Sequence, residues 1–405
     1  MNINAHTHIF DSQCAPKDFL KVGLNIGDNT AALLEGFLQN KIGQGVVNAL
    51  YGASSRIGKH NNLISRYTEF LKIGTMATQK DIFEFNEQTY DSNFLAGIKF
   101  VVLTLDMDYM SDSKNKPVAD FESQIDEVKR LKQYYPDRVF PFLGVDPRNP
   151  RNLDFNNNVQ SLLESKTFSG IKLYPSHGFF PFDPRLDQLY SYAQQNNIPI
   201  MTHCTRSGSF FIGNNVWSLI PDAPEAINAG YSMDGIYNRI QLYKHATDKL
   251  FKQNARICNL FLHPENYLPV LYKYPKLKLC LAHLGGEYEV LGSLNNNKQE
   301  KALFEKIYAL EAATKTWYQW IKEILKTYDN AYSDISYTLS SGQAMQTVYN
   351  DLTSGDLPKE KVLFGTDYFL VEQEGQEMDI VANAKKILQG EFQTLLSNGK
   401  NYLFQ

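Results

Sequence analysis

The chain has 405 residues, 43% hydrophobic and 21% charged, which excludes a disordered or fibrous whole and gives a core large enough to fold without staples. Its 40 Lys and Arg against 44 Asp and Glu leave a net charge of −4, without the basic excess that nonspecific nucleic-acid binding requires. Cys14, Cys204, Cys258 and Cys280 form no CxxC pair, which argues against a thiolate zinc site and suits a reducing compartment. Met1 to His6 has no basic n-region or apolar h-region, and no apolar run approaches ~18 residues. The expectation is a cytoplasmic protein with no nucleic-acid or membrane partner.

In chain order, short apolar runs alternate with helix-period stripes. Strands are expected near residues 3–9 and 98–105. A helix over about 122–135, with Ile125, Val128 and Leu131 on one stripe, stops at Pro136 and leads into a strand over 139–145. Further strands are expected at 170–174, 198–203, 278–283, 331–336 and 361–366, with a helix over about 186–195 before the fifth. The apolar run 256–262 reads as the end of a helix. Eight buried strands with helices between them predict a (β/α)₈ TIM barrel, and the competing doubly wound sheet lacks a GxGxxG after its first strand. With no linker, composition break or repeat, residues 1–405 read as one domain. Its long helical insertions follow strands 1, 5 and 6, at about 10–97, 204–277 and 284–330.

The first strand carries His6-Thr7-His8. Alternate residues of a strand share a face, so both imidazoles point the same way and make half a metal site. Two hydrogen-bonded core histidines are the plainer account of that pair taken alone. Titratable residues then recur at strand ends: Lys172 on strand 4, His203 ending strand 5, His283 ending strand 6 and Asp367 after strand 8. Barrel enzymes place their chemistry at the C-terminal ends of strands. Each residue alone has a structural explanation, such as a helix cap for Asp367. Four histidines and an aspartate at four strand ends point together to a metal site.

The set resembles the amidohydrolase superfamily, in the branch of aminocarboxymuconate semialdehyde decarboxylase and related hydrolases. The similar pieces are Asn4-Ala5-His6-Thr7-His8, Gly170-Ile171-Lys172-Leu173-Tyr174-Pro175, Met201-Thr202-His203, Ala282-His283-Leu284-Gly285-Gly286 and Phe364-Gly365-Thr366-Asp367. The resemblance implies a TIM barrel with one divalent ion, usually zinc. It implies that His6, His8, His203 and Asp367 are ligands and that His283 is the acid/base beside them.

The chemistry of these residue types agrees. Three imidazoles and a carboxylate leave a divalent ion with charge +1, enough to lower the pKa of a bound water from 15.7 to about 7. A nearby histidine, with an ordinary pKa of ~6.5, suits the proton transfers, and Asp367 could share the base role. Lys172 has three readings. The resemblance implies that it could bridge two ions as a carboxylated lysine, as in binuclear members of the superfamily; otherwise it holds a substrate carboxylate as an ammonium, or packs its stem, and a single ion is the preferred expectation. Tyr174, His177 and Arg206 are candidate substrate-binding residues, with solvation the plainer fate of a loop arginine. Asp146 and Arg148 fit a turn, Asp334 could orient a ligand histidine, His60 and His245 suit the surface, and His263 suits a cap. Phe210, Phe211, Trp217, Tyr231 and Tyr237 form either a lid or packing for the insertion after strand 5.

The function expected is hydrolysis of an amide, lactone or ester-like bond of a small molecule. The alternatives are non-oxidative decarboxylation of an unsaturated or aromatic acid on the same site, and a barrel that binds without catalysis. Self-association is left open.

Overall fold

Eight parallel strands follow one another in chain order around one sheet: β1 (Ile3–Thr7), β2 (Lys99–Leu103), β3 (Val139–Gly144), β4 (Gly170–Leu173), β5 (Ile200–Thr202), β6 (Leu279–Leu281), β7 (Ala331–Asp334) and β8 (Val362–Leu363). The computed structural model describes residues 1–16, 19, 72–111, 116–206, 208–225 and 230–405. Ala5 N donates to Phe364 O at 2.8 Å and Asp367 N to His6 O at 2.9 Å, closing β8 onto β1. The architecture is the expected (β/α)₈ barrel, and every strand falls inside its expected segment.

The longer helices are α1 (Gln79–Asn93), α2 (Phe121–Tyr134), α3 (Asp187–Gln195), α4 (Asp234–His245), α5 (Lys298–Glu311), α6 (Trp317–Thr327), α7 (Gly342–Ser354), α8 (Glu377–Leu388) and α9 (Gly390–Phe404). In α2 the Asp120 side chain caps the first turn by accepting from Ser123 N at 2.9 Å, and Ile125, Val128 and Leu131 are buried along one stripe. The run 256–262 lies in two short helices, Asn254–Ile257 and Asn259–Leu262. Much of the insertion after β1, including His60, lies outside the described residues. No described helix is long and apolar enough to cross a membrane.

The core has two layers. Ile3, Ala5, Val101, Leu103, Phe142, Met201, Cys280 and Leu363 form the inner one, and Tyr402 and Leu403 of α9 pack into it. Phe100, Val102, Ile171, Leu173, Leu279 and Val362 belong to the outer one, between sheet and helices.

A β-bulge interrupts this alternation in β1. Asn4 pairs with Phe100 and Thr7 with Val102, so β1 advances three residues while β2 advances two. Phe100 and Val102 belong to the outer layer. Asn4 and Thr7 therefore face outward, while the extra residue lets His6 turn inward toward Lys172.

The aromatic residues of the insertion after β5 pack rather than cover. Phe211 is buried in the outer core, and Phe210, Trp217, Tyr231 and Tyr237 lie against it.

Candidate metal centre

His6, His8 and Asp367 converge at the C-terminal ends of β1 and β8. His6 Nε2 lies 3.3 Å and His8 Nε2 3.4 Å from Asp367 Oδ1. The other ring nitrogens are committed. His6 Nδ1 lies 2.8 Å from Asp334 Oδ2 and His8 Nδ1 3.1 Å from Leu103 O; both oxygens are acceptors, so each Nδ1 carries the proton. Both Nε2 atoms are left as lone pairs. Burial holds both imidazoles well below their ordinary pKa, with the Lys172 charge as the next cause, so both are neutral.

This donor set fits a divalent ion. Asp367 Oδ1 is buried and makes no hydrogen bond, although two imidazole lone pairs face it. Lone pairs so arranged repel unless a cation stands among them. Adjacent corners of a tetrahedron with ~2.0–2.1 Å metal–ligand bonds lie about 3.3–3.4 Å apart, the spacing found here. Lys172 Nζ is 3.3 Å from His6 Nε2. Burial pushes the Lys172 ammonium down, opposed first by the Asp367 charge, and burial pushes the Asp367 carboxyl up, opposed by Lys172.

The backbone is specialised at these positions. Asp367 has φ 65° and His283 φ 73°, left-handed conformations costing of order 1–3 kcal/mol each in non-glycine residues. Gly365 makes the close approach of β8 possible, since a Cβ there would lie 2.7 Å from His6 Cβ.

His203, the fourth ligand the resemblance implies, stands outside this tight group and is joined to His283. His203 Nδ1 and His283 Nε2 are 3.0 Å apart, and His283 Nδ1 is 3.0 Å from Ser336 O. Because a carbonyl only accepts, His283 carries its proton on Nδ1, and His203 donates from Nδ1 to His283 Nε2. His203 Nε2 is thereby left unprotonated. The Tyr174 ring stacks on His203 at 4.2 Å, and a Cβ at Gly208 (φ 95°) would lie 2.8 Å from His203 Nε2. Burial lowers the His283 pKa to about 4.

Beside these side chains lies a small cavity of about 10 Å³, lined by residues including Thr104, Asp106, Asp146, Lys172, Tyr174 and His177. Three of the four expected substrate-binding residues, Lys172, Tyr174 and His177, thus share one wall. His177 Nε2 contacts Ser209 Oγ at 2.9 Å, its Nδ1 has no hydrogen-bond partner, and burial lowers its pKa to about 3. Asp106 had not been expected there. It accepts from Asn149 Nδ2 at 2.8 Å, and burial followed by the Asp146 charge raises its pKa. The signal was present in Val101-Val102-Leu103-Thr104-Leu105-Asp106, an apolar strand ending in a titratable group. Asp146 and Arg148 form an ion pair at 2.5 Å, more than the plain turn expected.

Arg206 corrects the expectation of a fork for substrate. Its Nε donates to Glu289 Oε1 at 2.6 Å, its two terminal nitrogens donate to Glu311 at 2.9 and 2.8 Å, and the guanidinium lies 4.2 Å from the Trp317 ring centroid. Two buried carboxylates and a ring surround the charge, so it ties the insertion after β5 to the one after β6. His263 caps a short helix by accepting from Glu265 N at 3.1 Å, and His245 ends α4 exposed, both as expected.

The sequence matches a family model described as amidohydrolase over residues 115–389, more than half of its length. The chain belongs to the amidohydrolase family and is an enzyme of that superfamily. No curated protein matches it. Among solved structures it is similar to a probable 2-pyrone-4,6-dicarboxylic acid hydrolase from Acinetobacter baumannii (13% identity, TM-score 0.49, covering 99% of this chain and 98% of that one). It is also similar to a 4-oxalomesaconate hydratase from Rhodopseudomonas palustris (15%, 0.48, 100% and 95%). A third is 5-carboxyvanillate decarboxylase from Sphingomonas paucimobilis (12%, 0.46, 99% and 98%).

Proposed function

We propose that the protein hydrolyses an amide, lactone or ester-like bond of a small molecule at a site holding one divalent ion, zinc by preference. The carrying observation is the convergence of His6 Nε2, His8 Nε2 and Asp367 Oδ1, with both histidine protons committed elsewhere. Such an ion, when bound, polarises a carbonyl and activates water. His203 offers a fourth ligand through Nε2, the nitrogen left unprotonated by its bond to His283. His283 is neutral at neutral pH, and its Nε2 takes a proton and returns it to the leaving group when the bond it accepts from His203 Nδ1 opens. Lys172, Tyr174 and His177 orient the substrate along the cavity wall.

One observation favours a second reading, decarboxylation of an acid: the Lys172 ammonium lines the cavity and could fix a carboxylate. Against it, Arg206, the other cation considered for a substrate carboxylate, is taken up by Glu289 and Glu311. Hydrolysis needs no such cation, so it is the better supported reaction.

Elemental analysis of protein purified without chelators tests the site. Near-stoichiometric divalent metal is expected, lost in His6→Ala, His8→Ala and Asp367→Ala with circular dichroism unchanged. A metal-loaded screen of lactones, esters and N-acyl compounds against unsaturated and phenolic acids tests the reaction. Release of CO₂ from an acid with no activity on any ester, lactone or amide would reverse the order of the two readings.

A further inference from the structure

At the bulge in β1 the His6 backbone N–H is received by the side chain of Asn4. Asn4 Oδ1 accepts from His6 N at 3.2 Å and from Thr366 N at 3.2 Å. One oxygen thus holds the backbone of a ligand on β1 and of the residue preceding Asp367 beyond β8. On its other side Asn4 Nδ2 donates to Thr366 Oγ1 at 2.9 Å and to Tyr90 Oη at 3.0 Å. The carboxamide is fully buried, and each of its four hydrogen-bonding positions is used.

The clamp is anchored from the helical layer. Tyr90, on α1, donates to Glu377 Oε1 at 2.9 Å, and Asn86 Nδ2 donates to Glu377 Oε2 at 2.8 Å. Glu377 begins α8. Asn4, Tyr90 and Glu377 are thus a continuous hydrogen-bonded line from two outer helices to the closure of the barrel. With Glu377 ionised the direction of every bond is fixed, because a carboxylate can only accept and an amide nitrogen can only donate.

We propose that Asn4 is a positioning residue for the metal centre, its carboxamide clamping the β1 bulge so that His6 and Asp367 face one another. Tyr90 and Glu377 hold the clamp in place. The inference rests on the reading of His6 and Asp367 as ligands. A bulge beside an active site re-aims a side chain, and here it separates the outward Asn4 from the inward His6 two residues later. An amide is required by the chemistry: a carboxylate lacks the two donor hydrogens, and an alkyl group lacks the acceptor.

The test compares Asn4→Ala and Tyr90→Phe with Leu388→Ala, which truncates a buried residue of α8 outside the clamp. Zn²⁺ affinity is measured by chelator competition and fold stability by thermal melting. Asn4→Ala should weaken Zn²⁺ binding by at least ~10-fold and Tyr90→Phe by a smaller factor in the same direction, as partners that orient ligands do. Leu388→Ala should lower the melting temperature without changing Zn²⁺ affinity. The proposal is overturned if both clamp variants bind Zn²⁺ like the wild type, or if Leu388→Ala weakens it as much. Should Asn4→Ala not fold, Tyr90→Phe against Leu388→Ala carries the comparison. A wild type that binds no Zn²⁺ would sink the metal reading alone. The clamp is then judged from the imidazole nitrogen NMR signals of His6. A His6 Nδ1–H signal shifted in Asn4→Ala but not in Leu388→Ala sustains it, and an unshifted one overturns it.

Discussion

His6 on β1 and Asp334 on β7 are joined by a hydrogen bond of 2.8 Å from Nδ1 to Oδ2, between strands that flank β8. The second oxygen of the same carboxylate accepts from His283 N at 2.8 Å and from Ser336 N at 3.1 Å. One side chain therefore fixes the proton of the His6 imidazole and the left-handed backbone of His283. Asp334→Asn presents a donor where His6 also donates, so the imidazole must change tautomer or rotate. Metal affinity should fall 10–100-fold, the usual cost of losing such a partner. An Asp334→Asn protein with the wild-type metal dissociation constant would remove the carboxylate from this role.

The proposed role of His283 in proton transfer predicts a variant in which turnover and metal binding separate. Its Nδ1 is committed to Ser336 O and its Nε2 accepts from His203. His283→Asn should retain metal while turnover falls by at least ~10²-fold, the scale of a lost general acid/base. Metal content and turnover are measured on the same preparation. Loss of the metal equivalent along with activity would place His283 among the ligands.

The strand segments and the titratable residues at their ends were legible because both are local. An apolar run that ends in His203, His283 or Asp367 needs no distant information. The bulge was not legible. Strict alternation puts Asn4 on the face of His6 and His8, and only pairing with Phe100 and Val102 on β2 shows that it turns outward. Arg206 failed for the same reason. Its partners Glu289 and Glu311 are 83 and 105 residues away and reach it only after the insertions fold. A loop arginine in sequence thus becomes a buried ion pair in space. The lid expected as one fate of the aromatic insertion also depended on where the chain returned, and the rings returned to the core.

The Arg206 pair yields its own prediction. Arg206→Ala leaves Glu289 and Glu311 buried without their cation, and breaking a buried pair from one side costs about 3–5 kcal/mol. The denaturant midpoint should fall accordingly while metal stoichiometry stays at the wild-type value. Unchanged stability with a raised KM for an anionic substrate would restore Arg206 as a substrate fork.

Glu377 carries the pH dependence that this fold should show. Burial raises its pKa from 4.5 to about 7, opposed by hydrogen bonds including those from Tyr90 and Asn86. Between those values the folded protein keeps a proton that the unfolded chain has released. Stability therefore falls as pH rises through this window, and the cost is complete above about pH 7. At about 1.4 kcal/mol per pH unit its ceiling is about 3 kcal/mol. Glu377→Gln keeps an oxygen for the Tyr90 hydroxyl and removes the charge. Denaturant midpoints of wild type and variant should nearly coincide near pH 5 and diverge by pH 8, with the variant the more stable. Other buried carboxyls, Asp106 among them, titrate in both proteins, so the difference between the two curves isolates Glu377. Parallel curves across that range would mean that Glu377 has the same proton affinity folded and unfolded.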